Sequence, residues 1–169
     1  MLENFLVNKL GMMAFDATYL ATEMYTTPGY YEELKGISDA SGIDYYKGRA
    51  LQLVGAISQG KCSMFGSWGK ASKNNHTIQL RSLDWNLDGP FYKWPAITVY
   101  HLSGELGNSW ANMGILGFMG VFSGINEKQM AVSEIGVYFS DETFGNESRF
   151  GNPFTYMLRD ILQFDTNLN

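Results

Sequence analysis

The sequence predicts an α+β domain, helices first and antiparallel sheet after, on three observations. Up to position 61 the apolar residues keep helical spacing, as at Phe5, Leu6, Leu10, Met13, Ala14, Ala17 and Leu20. Beyond it the chain turns β-rich, in short runs separated by turn residues. A final stripe of Phe154, Met157, Leu158, Ile161 and Leu162 predicts a helix with one buried face. Helices and strands segregated in this way make α+β rather than alternating α/β.

Residues 2 to about 26 predict the first helix, stopped by Pro28-Gly29. Tyr30 to about Ser38 predicts a second, with Asp39-Ala40-Ser41-Gly42 as a turn. Tyr45 to about Ile57 predicts a third, with Leu51, Val54 and Ile57 on one side. Ser58-Gln59-Gly60-Lys61 is a small polar connector, the kind of segment where a backbone cut is tolerated. Strands are predicted at Cys62–Trp68, Thr77–Trp85, Ala96–Leu102, Ser109–Met113, Leu116–Ser123 and Met130–Tyr138. Lys73-Asn74-Asn75 turns the first two into a hairpin, and Gly124-Ile125-Asn126-Glu127-Lys128 turns between the last two. Asn152-Pro153 opens the last helix, with Pro at its first position. These strands fill little more than one sheet, so one sheet face is expected to lie uncovered. A helical pattern already under way at the first residues, and a last residue just past a strong helix, read as part of a longer polypeptide.

With 169 residues, the chain is long enough for one domain with a real core. Its net charge of -5 and lack of any basic run argue against a nucleic-acid partner, whose phosphates need clustered Lys and Arg. One cysteine forbids an internal disulfide and a zinc site of several thiolates. His76 and His101 complete no metal pattern with it, and Gly117, Gly120 and Gly124 lack the Lys-Ser/Thr of a phosphate loop. No metal and no cofactor are expected. Met1 to Lys9 carries charges where a signal peptide needs an apolar run. No stretch approaches the ~18–20 apolar residues of a membrane span.

The chemistry centres on Cys62, in Lys61-Cys62-Ser63-Met64-Phe65-Gly66, followed by Arg81-Ser82-Leu83-Asp84-Trp85. A lone Cys is most often a small buried hydrophobe. This one stands where helix gives way to sheet and opens the hairpin whose second strand carries Arg81. A guanidinium there favours the thiolate and lowers the thiol pKa from its free value of about 8.5. In an ideal strand Asp84 faces the other side and joins Arg81 only if the strand twists or ends. It could then hold an α-ammonium freed on Cys62, an amine whose pKa of roughly 8 suits a base. Glu32-Glu33 and Asp141-Glu142 read as solvated surface. Trp68, Trp85, Trp94, Phe91 and Tyr92 read as core or as the lining of an acyl pocket.

Cys62 with Arg81-x-x-Asp84-Trp85 resembles the core of the choloylglycine hydrolase superfamily, which includes penicillin V acylase, bile-salt hydrolase and acid ceramidase. The turn at Gly124–Lys128 resembles a Gly-Met-Asn-x-x-Gly turn of those families. The wording is similar to acid-ceramidase-like proteins of protists at Asp39–Gly42, Cys62–Gly66, Leu83–Trp85, Asp88–Pro90, Thr98–His101, Ser133–Gly136 and Leu158–Gln163. The resemblance implies an N-terminal-nucleophile hydrolase with part of an αββα fold. Residues 1–61 would be a propeptide-like helical segment, and 62–169 the first part of the catalytic domain. Self-cleavage would fall between Lys61 and Cys62, and the two products would stay associated. Cys62 would be nucleophile and N-terminal base, Arg81 would position the thiolate and substrate carbonyl, and Asp84 would bind the amine. The substrate would be a lipid or other small molecule with an N-acyl amide. Where those families place an oxyanion Asn this chain has Gly136 or its neighbours, leaving Asn112 or Asn126 as candidate donors. A lysosomal or secreted setting would bring the sequons at Asn75 and Asn146 into use. The alternatives are a phospholipase B-like lipid hydrolase or acyltransferase of the same fold, or an inactive remnant that binds without catalysis.

Overall fold

A computed structural model describes residues 11–57, 61–84, 90–136 and 150–166. Helices α1 (Met12–Thr22), α2 (Tyr30–Ser41), α3 (Tyr45–Gln52) and the short α4 (Val54–Ile57) come first. The expected turn at Asp39–Gly42 is instead the last turn of α2. Lys35 and Asp39 pair across one turn of it at 2.7 Å, and the stop comes only at Gly42, whose φ of 74° suits glycine. Asp44 caps α3 by accepting the backbone N–H of Lys47 at 3.0 Å. The single helix expected over Tyr45–Ile57 breaks at Leu53 into α3 and α4.

Among the described residues the strands form one four-stranded sheet and a separate two-stranded hairpin. Strand β1 (Lys61–Ser67) pairs antiparallel with β2 (Ile78–Asp84). Strands β3 (Pro95–Tyr100), β4 (Trp110–Ile115), β5 (Ser123–Asn126) and β6 (Ala131–Ser133) form an antiparallel meander in that order. The strand expected over Leu116–Ser123 is mostly a turn and loop. Its carbonyls and amides are taken elsewhere: Asn112 Nδ2 donates to the carbonyls of Phe118 and Gly120, and Val121 N–H donates to Thr155 O. The turn expected at Gly124–Lys128 starts later, because Ser123–Asn126 is β5. Asn126 Oδ1 accepts the backbone N–H of Lys128 and of Met130, each at 3.0 Å, and this side chain shapes the turn. Helix α5 (Phe154–Phe164) closes the described fold, with Pro153 at the N-cap rather than the first helical position.

Pairing register fixes the two faces of the meander. Trp110, Asn112, Gly124 and Asn126 share a buried face, with Trp110 packed on Leu162 of α5. Ile97, Val99, Met113 and Ile125 share the other face and are exposed. The hairpin meets that second side where β2 touches β6.

Among the described residues, two of the three core clusters mix residues from before and after position 61. Phe15, Ala50, Leu53 and Val54 pack with Phe91, Phe118 and Phe122, and Tyr30 and Leu34 pack with Met119 and Tyr156. Buried Gln52 stitches the same seam, donating to Gly117 O at 2.9 Å and accepting Met119 N–H at 2.8 Å. Glu33, expected at the surface, accepts from the buried Arg159 of α5 at 2.6 Å. The Arg159 guanidinium also lies 4.0 Å from the Tyr30 ring centre and 4.9 Å from that of Tyr100.

Candidate active site at the hairpin face

Strand alternation decides which of the predicted residues meet. Cys62 stands opposite Leu83, and Met64 opposite Arg81. Cys62 and Arg81 are therefore diagonal neighbours on one face of the hairpin. Asp84 stands opposite Lys61, on the other face. There its carboxylate accepts from Ser63 Oγ at 2.7 Å and from Ser82 Oγ at 3.1 Å. The ideal-strand geometry holds, and Asp84 does not join Arg81.

The second sheet supplies the rest of the site. Arg81 Nε donates to Ser123 Oγ at 3.0 Å, and the guanidinium carbon lies 5.5 Å from the Phe122 ring centre. The thiol of Cys62 donates to Glu134 Oε2 at 3.2 Å. Glu134 is held in place just past β6, its N–H donating to Phe122 O at 2.8 Å. Thiol, guanidinium, hydroxyl and carboxylate thus meet between hairpin and meander.

The thiol's pKa moves opposite to expectation. Burial raises it first, and the hydrogen bond to the negative Glu134 raises it further. A backbone hydrogen bond from Gly136 and the charge of Arg81 pull it down, but they do not prevail. In this state Cys62 is a neutral thiol whose proton already points at a carboxylate.

Of these groups Arg81 and Ser123 line a cleft of about 850 Å³, with Leu80, Leu83, Met113, Ile125 and Val132 also in its walls, while Cys62 and Glu134 are not among its lining residues. Its walls are largely apolar, with Arg81 at the hairpin side. Phe91 and Tyr92, expected as pocket or core, line it as well. Trp94 borders a separate space of about 250 Å³ against α2 and α3, and Trp68 is exposed. Trp85 lies outside the described residues.

Neither candidate oxyanion asparagine has an N–H to spare. Asn112 Nδ2 is committed to the carbonyls of Phe118 and Gly120, leaving only its buried Oδ1 without a partner. Asn126 Nδ2 donates to Leu162 O and Asp165 O, each at 3.0 Å. Both side chains hold loops and helix ends. Asn75 is exposed, in a turn with φ of 57°. Asn146 and Asp141-Glu142 lie outside the described residues, as do Ser58–Gly60 of the connector. The Lys61–Cys62 bond itself opens β1. His76 and His101 are both exposed, and His101 lies just past β3 rather than in it. Among the described residues no group of three or more His, Cys, Asp or Glu side chains is placed to hold a metal, and no helix is long and apolar enough to cross a membrane.

Glu134 lies within the Ser133–Gly136 run, where no chemical role was expected of it. The available signal was a lone carboxylate just past the otherwise uncharged β6, a strand of the other sheet.

No family model matches the chain, and no solved structure matches it. It is similar to two curated proteins of Dictyostelium discoideum. To protein dcd1B it is 30% identical over 168 residues, covering 99% of this chain and 32% of that protein. To protein dcd1A it is 32% identical over 164 residues, covering 93% of this chain and 36% of that protein. The chain spans about a third of the length of these curated relatives.

Proposed function

We propose that this chain carries the nucleophile end of a cysteine N-terminal-nucleophile hydrolase with an αββα core, acting on the amide of an N-acyl lipid or related compound. The observation that carries the reading is the shared hairpin face of Cys62 and Arg81 beside a large apolar cleft. A thiol freed at the start of β1 would attack an acyl carbonyl, and Arg81 would stabilise the charge that develops on its oxygen. The apolar walls would take the acyl chain. Release of the amine and hydrolysis of the thioester would complete turnover. In this reading residues 1–61 stay bound after the cut through the mixed clusters described above, and the protein works in a lysosomal or secreted setting.

The test uses the complete natural polypeptide. N-terminal sequencing after incubation at mildly acidic pH should find Cys62 as a new first residue. Ceramide or an N-acylethanolamine should then yield free fatty acid, and Cys62→Ala should abolish both events. A lysophospholipid run in parallel distinguishes the phospholipase B-like alternative, in which the same thiol attacks an ester. Intact chain together with no fatty-acid release overturns the proposal.

Two observations favour a binding module instead: burial and Glu134 together keep the thiol neutral, and Asp84 faces away. That reading expects lipid retention in the cleft with no cut and no product.

A further inference from the structure

Self-processing poses a chemical problem that the mature enzyme does not have. Before the Lys61–Cys62 bond is cut, the nitrogen of Cys62 belongs to an amide and is no base. The α-amine that would serve turnover does not yet exist for the step that creates it. Another group must take the thiol's proton.

We infer that Glu134 is that base: its Oε2 already accepts the Cys62 thiol hydrogen at 3.2 Å, and its own backbone is fixed to Phe122. This assignment rests on the self-processing hydrolase proposed above. The other described groups near the hairpin are poorly placed for the task. Asp84 lies on the opposite face and is occupied by Ser63 and Ser82. His76 lies beyond the Ser67–Ile78 end of the hairpin, away from the Lys61–Asp84 end. Arg81 is a cation and accepts no proton.

The step balances as follows. Glu134 takes the proton from Sγ, and the sulfur forms a bond to the carbonyl carbon of Lys61. The tetrahedral intermediate collapses with breakage of the C–N bond, and Glu134 returns the proton to the departing nitrogen of Cys62. Lys61 is then held as a thioester on Sγ. One water hydrolyses it to the Lys61 carboxylate and a free thiol on an N-terminal Cys62. No oxidant or metal is needed. Proton transfer from a thiol to a carboxylate runs uphill, which suits an event that happens once per molecule.

The experiment follows the cut in the complete polypeptide by gel and N-terminal sequencing. Glu134→Gln keeps the shape of the side chain but not its basicity, and it should slow the cut by about 10²–10⁴-fold. Glu134→Asp should retain part of the rate. Glu134→Ala leaves room for a small carboxylate, so added formate or acetate should restore cutting in proportion to its concentration. A lost hydrogen bond or a merely structural defect is not repaired in that way. Glu134→Gln cutting at the wild-type rate overturns the assignment. So does a Glu134→Ala protein that neither cuts nor responds to formate, when its melting temperature matches wild type. If wild type itself never cuts, the self-processing proposal fails instead.

Discussion

Asp84 and Cys62 lie on opposite faces of one hairpin. The register that sets Cys62 against Leu83 sets Asp84 against Lys61, where two serine hydroxyls hold its carboxylate. The thiol therefore feels Glu134 and Arg81 directly and Asp84 hardly at all. If Asp84 holds an amine on Cys62, it meets it from the strand's other side, once the chain end is free.

Cys62 should react slowly with iodoacetamide near neutral pH, because only the thiolate is the nucleophile. The raised pKa keeps the group protonated as pH climbs through the free-thiol range of about 8.5. Glu134→Gln removes a negative neighbour and should shift the alkylation profile to lower pH. Arg81→Gln removes a positive one and should shift it higher, and Asp84→Asn should leave it in place. Mass spectrometry of the alkylated peptide across pH 6–10 reads all three, a range that brackets the ordinary thiol value.

Arg81→Ala should fold and yet lose acyl transfer. Its described ties are one hydrogen bond to Ser123 and the Phe122 ring, so stability should change little. Loss of one electrostatic stabiliser of the reacting centre typically costs about 10²–10³-fold in rate. Release of fatty acid from ceramide at the wild-type rate would show that Arg81 serves the fold alone.

Arg159→Ala should be the most damaging change on α5. It strips the guanidinium partner from the Glu33 carboxylate and the cation from beside Tyr30, Tyr100 and Trp110. Breaking a buried pair costs about 3–5 kcal/mol, and the partly open position of Glu33 places this one near 3. The melting temperature should fall by roughly 6–12 °C for a domain of this size. Arg159→Lys keeps the charge but not the planar fork and should lose about half as much.

Stability should decline at alkaline pH through Tyr100. Burial, followed by the charge of Glu33, pushes its hydroxyl up to about 12. In the unfolded chain the value is about 10. Between these the folded state keeps a proton that the unfolded state releases, so stability falls as pH rises. The contribution is whole below pH ~10 and is lost as pH rises through the folded value. Tyr100→Phe should flatten that fall in melting curves taken across this range.

The α+β class and most element positions were legible because local signals decide them: apolar spacing in α1 to α4, alternation in β1 to β3, and the stripe of α5. The joining of Cys62 and Arg81 was legible too, since a hairpin register follows from two strands and a turn. What escaped depends on long-range partners. The segment Leu116–Phe122 has the composition of a strand but gives its backbone groups to Asn112, Gln52 and Thr155. Glu33 has the setting of a surface residue until α5 brings Arg159 to it. Glu134 acts on Cys62 across 72 residues of chain, a distance that no local pattern spans.

The mixed clusters across position 61 carry a consequence for the lifetime of the protein. While the chain is continuous, its helices and sheet refold as one molecule. A cut before Cys62 would make refolding a second-order encounter between two pieces, slower at every dilution. Phe15, Leu34, Leu53 and Val54 would then have to find Phe118, Met119 and Phe122 through solution. The processed form would persist by the height of its unfolding barrier and not by its capacity to recover. A single opening in a protease-rich compartment would be terminal, so such a molecule would be used until it first unfolds and then replaced.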